Sequence, residues 1–257
     1  MRRNNLLLDL LKGPVLSVQE FFGLTAKAVR NIFRGPHYLD DIFLQMDVIG
    51  FGSLPIVILT GFFSGAVMAL QLSKALSTYG AVGKTGELVS ISLTRELGPV
   101  LTSLMVAGRN SSGMASELGS MKVTEQIDAM RALGTDPIQK LVTPRLVATA
   151  VVLPLLTVIA DFLGLFGGFV IAYALLKMTA AHYWNSAWQA LEYSDITQGL
   201  LKPFLFAFVV ALVGCYFGMQ TTGGTQGVGR STTRAVVVAS VWIFVLDFFL
   251  TRIFVNL

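Results

Sequence analysis

Five long apolar stretches limit what this chain of 257 residues can fold into. The first, residues 48–72, contains no charged side chain, and as a helix it is long enough to cross the roughly 30 Å hydrocarbon core of a bilayer. Inside that core every backbone N–H and C=O needs a partner within the protein, and a helix supplies one. The predicted spans are residues 48–72, 87–108, 146–176, 200–218 and 235–257. The sequence therefore predicts an all-α integral membrane protein with five transmembrane helices.

The overall composition points the same way. Hydrophobic residues make up 54% of the chain and charged residues 13%, which leaves too few polar side chains to cover a soluble domain of this length. The net charge of +4 favours contact with anionic lipid. Nucleic acid is not an expected partner, because no basic stripe interleaved with aromatic residues occurs.

Lys and Arg residues are distributed unevenly between the two sides of the predicted spans. Most of them lie before span one, between spans two and three, and between spans four and five. Positively charged loops stay on the cytoplasmic side, so the N-terminus is expected to be cytoplasmic and the C-terminus to lie outside.

The first 47 residues form a region distinct from the predicted transmembrane domain, residues 48–257. From residue 15 to 34 the pattern is that of an amphipathic helix, which Gly35-Pro36 ends. We expect this helix to lie in the membrane interface, with its basic face toward the headgroups. The alternative is a soluble cap that packs on a partner. The expected apolar face contains Val18, Phe21, Phe22, Val29, Ile32 and Phe33.

Two adjacent charges, Arg95 and Glu96, interrupt predicted span two. A charge at the middle of a spanning helix costs about 2.5–3.5 kcal/mol on insertion scales, so such a pair is a functional-site hypothesis. Pro99 has no N–H to donate to the carbonyl of Arg95, so that oxygen needs another partner. The alternative is that the pair only ties helices together. The residues that share this side of the span are Ser92, Arg95, Glu96, Pro99, Thr102 and Ser103.

The loop between spans two and three carries a second helical pattern. Apolar residues at positions 123, 127, 130 and 133 recur at helical spacing, and Gly134 and Pro137 end the pattern. A short amphipathic helix of this kind can lie on the membrane or enter a groove of a soluble partner. Its mixed charge favours the partner.

No metal, cofactor or catalytic site is indicated. Cys215 is the single cysteine, which excludes an internal disulfide, and His37 and His182 are isolated from each other. Gly83-Lys84-Thr85 looks like the end of a phosphate-binding loop, but Thr78 stands where that loop needs its first glycine. The chain is therefore not expected to be an enzyme.

Three glycine pairs have the GxxxG spacing that permits close helix approach. Glycine is common in spanning helices, so each pair alone is weak evidence of a dimer face. The pairs are Gly61/Gly65, Gly164/Gly168 and Gly214/Gly218.

Several motifs together resemble the MlaE/YrbE family of ABC-transporter permeases. Two are long and specific: Ser92-Leu-Thr-Arg-Glu-Leu-Gly-Pro-Val100 and Thr124-Glu-Gln-Ile-Asp-Ala-Met-Arg-Ala-Leu-Gly-Thr-Asp-Pro137. The resemblance extends from about residue 48 to the C-terminus. Shorter matches are Ala107-Gly-Arg109, Pro144-Arg145, Leu153-Pro-Leu-Leu156, Gly229-Arg-Ser-Thr-Thr-Arg234 and Leu246-Asp-Phe248.

The resemblance implies a homodimeric permease of the bacterial inner membrane that moves phospholipid between that membrane and a periplasmic carrier. The implied partners are a separate ABC ATPase, a STAS-domain protein and MCE-domain periplasmic subunits. The implied lipid cavity contains Arg95, Glu96, Leu97 and Tyr79. The implied ATPase-docking residues are Thr124, Glu125, Ile127, Asp128, Met130, Arg131 and Leu133.

Two other classes remain open. A secondary transporter or channel would use Arg95, Glu96 and Asp161 as an ion relay, although five spans without a detectable inverted repeat count against it. A purely structural membrane anchor would not need intramembrane charge. Span five carries a further acid, Asp247, of unassigned role.

Overall fold

The computed structural model describes residues 2–36 and 38–255, and this part of the chain is helical with no strand. Ten α-helices follow one another in this part, joined by a 3-10 turn at Val82–Lys84 and by π turns at Leu93–Leu97, Ala107–Ser111 and Ile138–Val142. The helices are α1 (Arg2–Ile32), α2 (Leu39–Ser77), α3 (Thr85–Ser92), α4 (Gly98–Val106), α5 (Ser112–Val123), α6 (Gln126–Ala132), α7 (Thr143–Ala174), α8 (Ala180–Gln189), α9 (Tyr193–Met219) and α10 (Gly224–Val255).

Four helical segments of the described chain are long and apolar enough to cross a membrane: Leu39–Ser77, Ile138–Ala174, Tyr193–Met219 and Gly224–Phe254. They contain predicted spans one and four completely. Predicted span three extends beyond its segment by residues 175–176, and predicted span five extends beyond its segment by its last residues. Of these, residues 256 and 257 lie outside the described chain. The predicted span 87–108 is instead divided into α3, α4 and two π turns, so the five-span count is not confirmed. At the first π turn, Pro99 removes one backbone donor and the ladder shifts to π spacing beside it.

Glycines let α2 and α7 approach each other closely. A Cβ on Gly61 would lie 2.7 Å from the carbonyl oxygen of Ala160, and a Cβ on Gly65 would collide with the backbone of Gly164. Two of the GxxxG pairs thus serve packing within the chain.

The third glycine pair packs α9 on α5. A Cβ on Gly214 would lie 2.9 Å from the Cα of Ser111, and one on Gly218 would lie 2.7 Å from the Cβ of Leu118. The main apolar core continues from this contact to α7, and includes Leu146, Leu153, Phe206 and Val210.

The N-terminal helix forms, but its apolar side is divided. Leu24 and Ala28 are buried in the main core, and Phe21, Val29 and Ile32 pack against that core. The remaining apolar residues of the expected face, Val18, Phe22 and Phe33, are exposed. Part of the face predicted to enter lipid therefore packs on the protein itself.

Candidate functional site

The π turn at Leu93–Leu97 positions the two charges of predicted span two. The backbone N–H of Gly98 donates to Leu93 O, five residues back, and Pro99 has no N–H to offer Arg95 O. The Nζ of Lys202 in α9 donates to Arg95 O at 2.9 Å. The expectation that this carbonyl needs a partner from elsewhere is confirmed.

Lys202 is fully buried and lies at the centre of an ion network. Besides Arg95 O, its ammonium donates to Glu96 Oε2 at 2.7 Å and to Thr251 Oγ1 at 2.8 Å. An ammonium has three N–H donors, so these three acceptors use them all. Asp247 Oδ1 lies 3.1 Å from the same nitrogen as an ion-pair partner but receives no hydrogen bond. Thr251 in turn donates to Glu96 Oε1 at 3.1 Å.

Arg95 has a different partner. Its Nε donates to the fully buried carboxylate of Asp195 near the start of α9. Asp195 also accepts from the backbone N–H of Glu192 at 3.0 Å, as part of a capping box. The amino end of a helix favours negative charge, so α9 itself stabilises the carboxylate that holds Arg95. Adjacent helical residues point about 100° apart, which is why Arg95 and Glu96 reach separate partners, both of them in this chain.

The network is buried on one side and open on the other. The side chains of Arg95 and Glu96 are 40% and 39% exposed, whereas Lys202 and Asp195 are fully buried. Three formal negative charges, on Glu96, Asp195 and Asp247, face two positive ones. Of the three guanidinium nitrogens of Arg95, only Nε forms a hydrogen bond within the described residues. The other N–H groups of this guanidinium can therefore meet an anion from outside.

The remaining two residues of the expected lipid cavity lie apart from the network. Leu97 ends the π turn and packs at the edge of a smaller apolar cluster with Val89, Leu93 and Leu165. Tyr79 is 83% exposed in the turn after α2, and among the described residues no hydrogen bond joins its side chain to the network.

In the loop predicted between spans two and three the structure has α6, which begins after Glu125 in a left-handed conformation and ends at Ala132, two residues before Gly134. Asp128 pairs with Lys122 at 2.7 Å and with Arg131 at 3.1 Å. The hydrogen bond from Lys122 is the main cause of a lowered pKa of Asp128. Thr124 donates to Ser120 O at 2.9 Å. These local contacts fix the bend between α5 and α6.

The apolar stripe of α6 does not lie free for a partner. Ile127 is fully buried in the main core, and Met130 packs against it. The side chain of Ile127 therefore fills a site within this protein, and its role in docking stays a prediction. Leu133 is 84% exposed and, with Asp128 and Arg131, lies on the accessible surface.

Sequence reasoning did not place Asp195, Lys202, Asp247 and Thr251 in one ion network. Lys202 stands at the edge of predicted span four, but α9 begins at Tyr193, which places it more than two turns inside the helix. Asp247 and Thr251 stand four residues apart on α10, a spacing that faces one partner. The available signal for this network was a single lysine in one apolar helix and a single aspartate in another.

The three residues of the alternative ion relay, Arg95, Glu96 and Asp161, do not form one network. Within the described chain, Asp161 forms no ion pair or hydrogen bond with Arg95 or Glu96, and one of its carboxyl oxygens is buried without a partner. No group of three His, Cys, Asp or Glu residues suited to a metal ion occurs in the part of the chain that the structure describes. His37 lies outside that part.

Long apolar helices around a buried, partly accessible ion network define a helical membrane protein with a polar centre inside its apolar region. Residues 42–253 match the family described as Permease MlaE. The chain belongs to the MlaE permease family.

Named relatives extend this assignment. A probable ABC transporter permease protein of Rickettsia conorii is 44% identical over 238 residues, which cover 93% of this chain and 92% of the relative. The intermembrane phospholipid transport system permease protein MlaE of Haemophilus influenzae is 35% identical over 210 residues, covering 81% and 80%. The chloroplastic protein TRIGALACTOSYLDIACYLGLYCEROL 1 of Arabidopsis thaliana is 36% identical over 231 residues, covering 90% and 66%.

Proposed function

We propose that this chain is the transmembrane permease subunit of an ABC transporter that moves phospholipid between the bacterial inner membrane and the periplasm. The observation that carries the proposal is the 35% identity to a phospholipid transport permease over most of both chains. The chain itself is no enzyme, and a separate ATPase supplies the energy. MCE-domain subunits receive or deliver the lipid, and a STAS-domain protein completes the complex.

Arg95 is the proposed headgroup contact. Its terminal N–H groups form no hydrogen bond within the described residues, and the side chain is 40% exposed. Arginine binds phosphate oxygens through two parallel hydrogen bonds. Asp195 already holds the Nε edge, and Glu96 adds a negative charge beside it. Both acids weaken the hold on an anion, so a lipid bound here can also be released.

A second copy of the chain is proposed to cover the open side. In the most apolar 18-residue stretch of α10 only 11% of the residues are buried, compared with 56% in the corresponding stretch of α9. The exposed residues Val237, Val241, Phe244 and Phe248 recur at helical spacing on one face. A two-fold dimer through this face would enclose the exposed parts of Arg95 and Glu96 from both copies.

The membrane arrangement follows from the same proposal. Residues 85–123, a helix with two π turns, cross the membrane between α2 and α6 and bring the number of crossings to five. The N-terminus is cytoplasmic and the C-terminus periplasmic. The loop containing α6 then faces the ATPase, and Leu133, Asp128, Arg131, Thr124 and Glu125 form the docking surface. Met130 and Ile127 support that surface from beneath.

Reconstitution tests the function. The tagged chain is purified from its native membrane, associated proteins are identified by mass spectrometry, and the complex is placed in liposomes with fluorescent phospholipid. We expect an ABC ATPase to co-purify and lipid transfer to depend on ATP. Transfer that is driven by an ion gradient without an ATPase would contradict the proposal and favour a secondary transporter.

A further inference from the structure

A separate cavity lies beside the π turn, and none of the ion-network residues lines it. It has a volume of about 210 Å³ and opens between α7, α8 and α9. Thr94 of the π turn and Gly199 of α9 form part of its wall, and Trp188 of α8 lies at its edge. Apart from Thr94 and Asp161, the lining side chains are apolar.

Asp161 is the polar group of this cavity whose bonding is incomplete. Its Oδ1 is buried without a hydrogen-bond partner in the described chain, and a Cβ on Gly98 would collide with it. No Lys, Arg or His of the described chain forms an ion pair with Asp161. Asp161 nevertheless lines the cavity, so its carboxyl group is the acceptor that a donor entering from the membrane would meet there.

The cavity faces lipid near one end of the bundle. Val158 and Phe162, which line it, are exposed on the outer surface of α7, and Trp188 is 62% exposed. The 27 residues of α9 span about 40 Å, close to the full thickness of a bilayer with its headgroups. Gly199 is six residues from the start of α9, roughly 9 Å along the helix, which corresponds to the level where headgroups meet chains.

We propose that this cavity is a lateral lipid-binding site that selects a lipid carrying a hydrogen-bond donor. The apolar walls hold part of an acyl chain, and an ammonium or hydroxyl group of the headgroup donates to the carboxyl group of Asp161 at the cavity wall. A carboxyl oxygen accepts such a bond whether or not the group is ionised. The site is distinct from the ion network, and it can exist whether or not the chain transports lipid.

Trp188 provides a direct test. The full chain with Trp184→Phe and Trp242→Phe keeps Trp188 as its single tryptophan. It is reconstituted in phosphatidylcholine that contains increasing fractions of brominated phosphatidylethanolamine, phosphatidylglycerol or phosphatidylcholine. Phosphatidylcholine has no N–H or O–H donor and is the matched lipid control. One net hydrogen bond predicts about 3- to 10-fold stronger association of a donor-bearing lipid at Trp188.

Variants decide whether Asp161 is responsible. Asp161→Leu should abolish the preference, and Val158→Phe should reduce quenching by partly filling the cavity. Val151→Phe, exposed on the same helix but outside the cavity, should leave it unchanged. Equal quenching by all three lipids in the unaltered cavity would overturn the proposal, as would a preference that persists in Asp161→Leu. If Asp161→Leu does not fold, the comparison of Val158→Phe with Val151→Phe is decisive, and equal quenching in these two variants would overturn the proposal.

Discussion

At the scale of single residues, Lys202 determines whether the charged centre can exist inside the membrane. One ammonium serves a carbonyl, a carboxylate and a hydroxyl, and lies beside a second carboxylate. Isolated charges in an apolar medium are costly, whereas a fully hydrogen-bonded group in an ion network is tolerated. The network therefore satisfies the buried ammonium and keeps Arg95 and Glu96 in place at its open edge.

Lys202→Met tests this role, because methionine keeps the length of the side chain and removes its charge. Glu96, Asp247 and Arg95 O then lose their shared donor, and we expect a loss of about 3–5 kcal/mol in unfolding free energy. Thermal unfolding in detergent measures it. Lys74→Met, at an exposed position near the end of α2, is the control.

A compensating variant separates charge from packing. Adding Glu96→Gln and Asp247→Asn to Lys202→Met removes the uncompensated charges and should recover part of the lost stability. Unchanged stability in Lys202→Met alone would refute the view that the network needs this residue.

At the scale of helices, glycines determine how closely α2 and α7 approach each other. Gly61, Gly65 and Gly164 bring the two backbones into contact. Interior atoms are packed closely, so even one added methyl group has to be accommodated by movement.

Gly65→Ala should lower the stability by about 1–3 kcal/mol, because its Cβ would meet the backbone of Gly164 rather than a flexible side chain. Gly113→Ala in α5 is the matched control, since a Cβ there meets no neighbouring atom within 4 Å. For the control we expect no loss, because alanine is the better helix former. Equal stability changes in the two variants would contradict the proposed packing.

The loop helix α6 gives a second prediction at this scale. Leu133→Asp changes an exposed side chain, so it should weaken ATPase binding by about 2 kcal/mol while the unfolding temperature stays unchanged. Ile127→Asp places a charge in the core and should lower the unfolding temperature instead.

Pull-down of the ATPase and thermal unfolding, measured on both variants, distinguish the two effects. Full ATPase binding by Leu133→Asp would mean that the docking surface lies elsewhere.

At the scale of the whole molecule, the apolar stretches were sufficient to predict a helical membrane protein. Their lengths and low charge located four segments that can span a bilayer. The interruption of predicted span two could not be located, because π turns depend on which outside group satisfies the freed carbonyl. Here that group is Lys202, a long-range partner that no local pattern identifies. The division of the α1 face between core and exterior has the same origin, since tertiary packing decides which apolar residues are covered.

The motifs around Arg95, Glu96 and α6 were recognisable because they are contiguous in the chain. Asp195, Lys202, Asp247 and Thr251 were not, because their common role depends on how α9 and α10 pack beside the π turn. Family membership places the whole molecule among MlaE permeases, and we propose that the network holds an anionic headgroup.

The most direct test of that central claim is the phospholipid bound per protomer in the double variant Arg95→Gln with Asp195→Asn. Replacing both partners by neutral amides leaves no unpaired buried charge, so the unfolding temperature should remain close to that of the unaltered chain. Lipid phosphorus in the purified protein and ATP-dependent lipid transfer are then measured together. The account predicts that both fall while the fold persists, and undiminished lipid content and transfer in a stable double variant would contradict it.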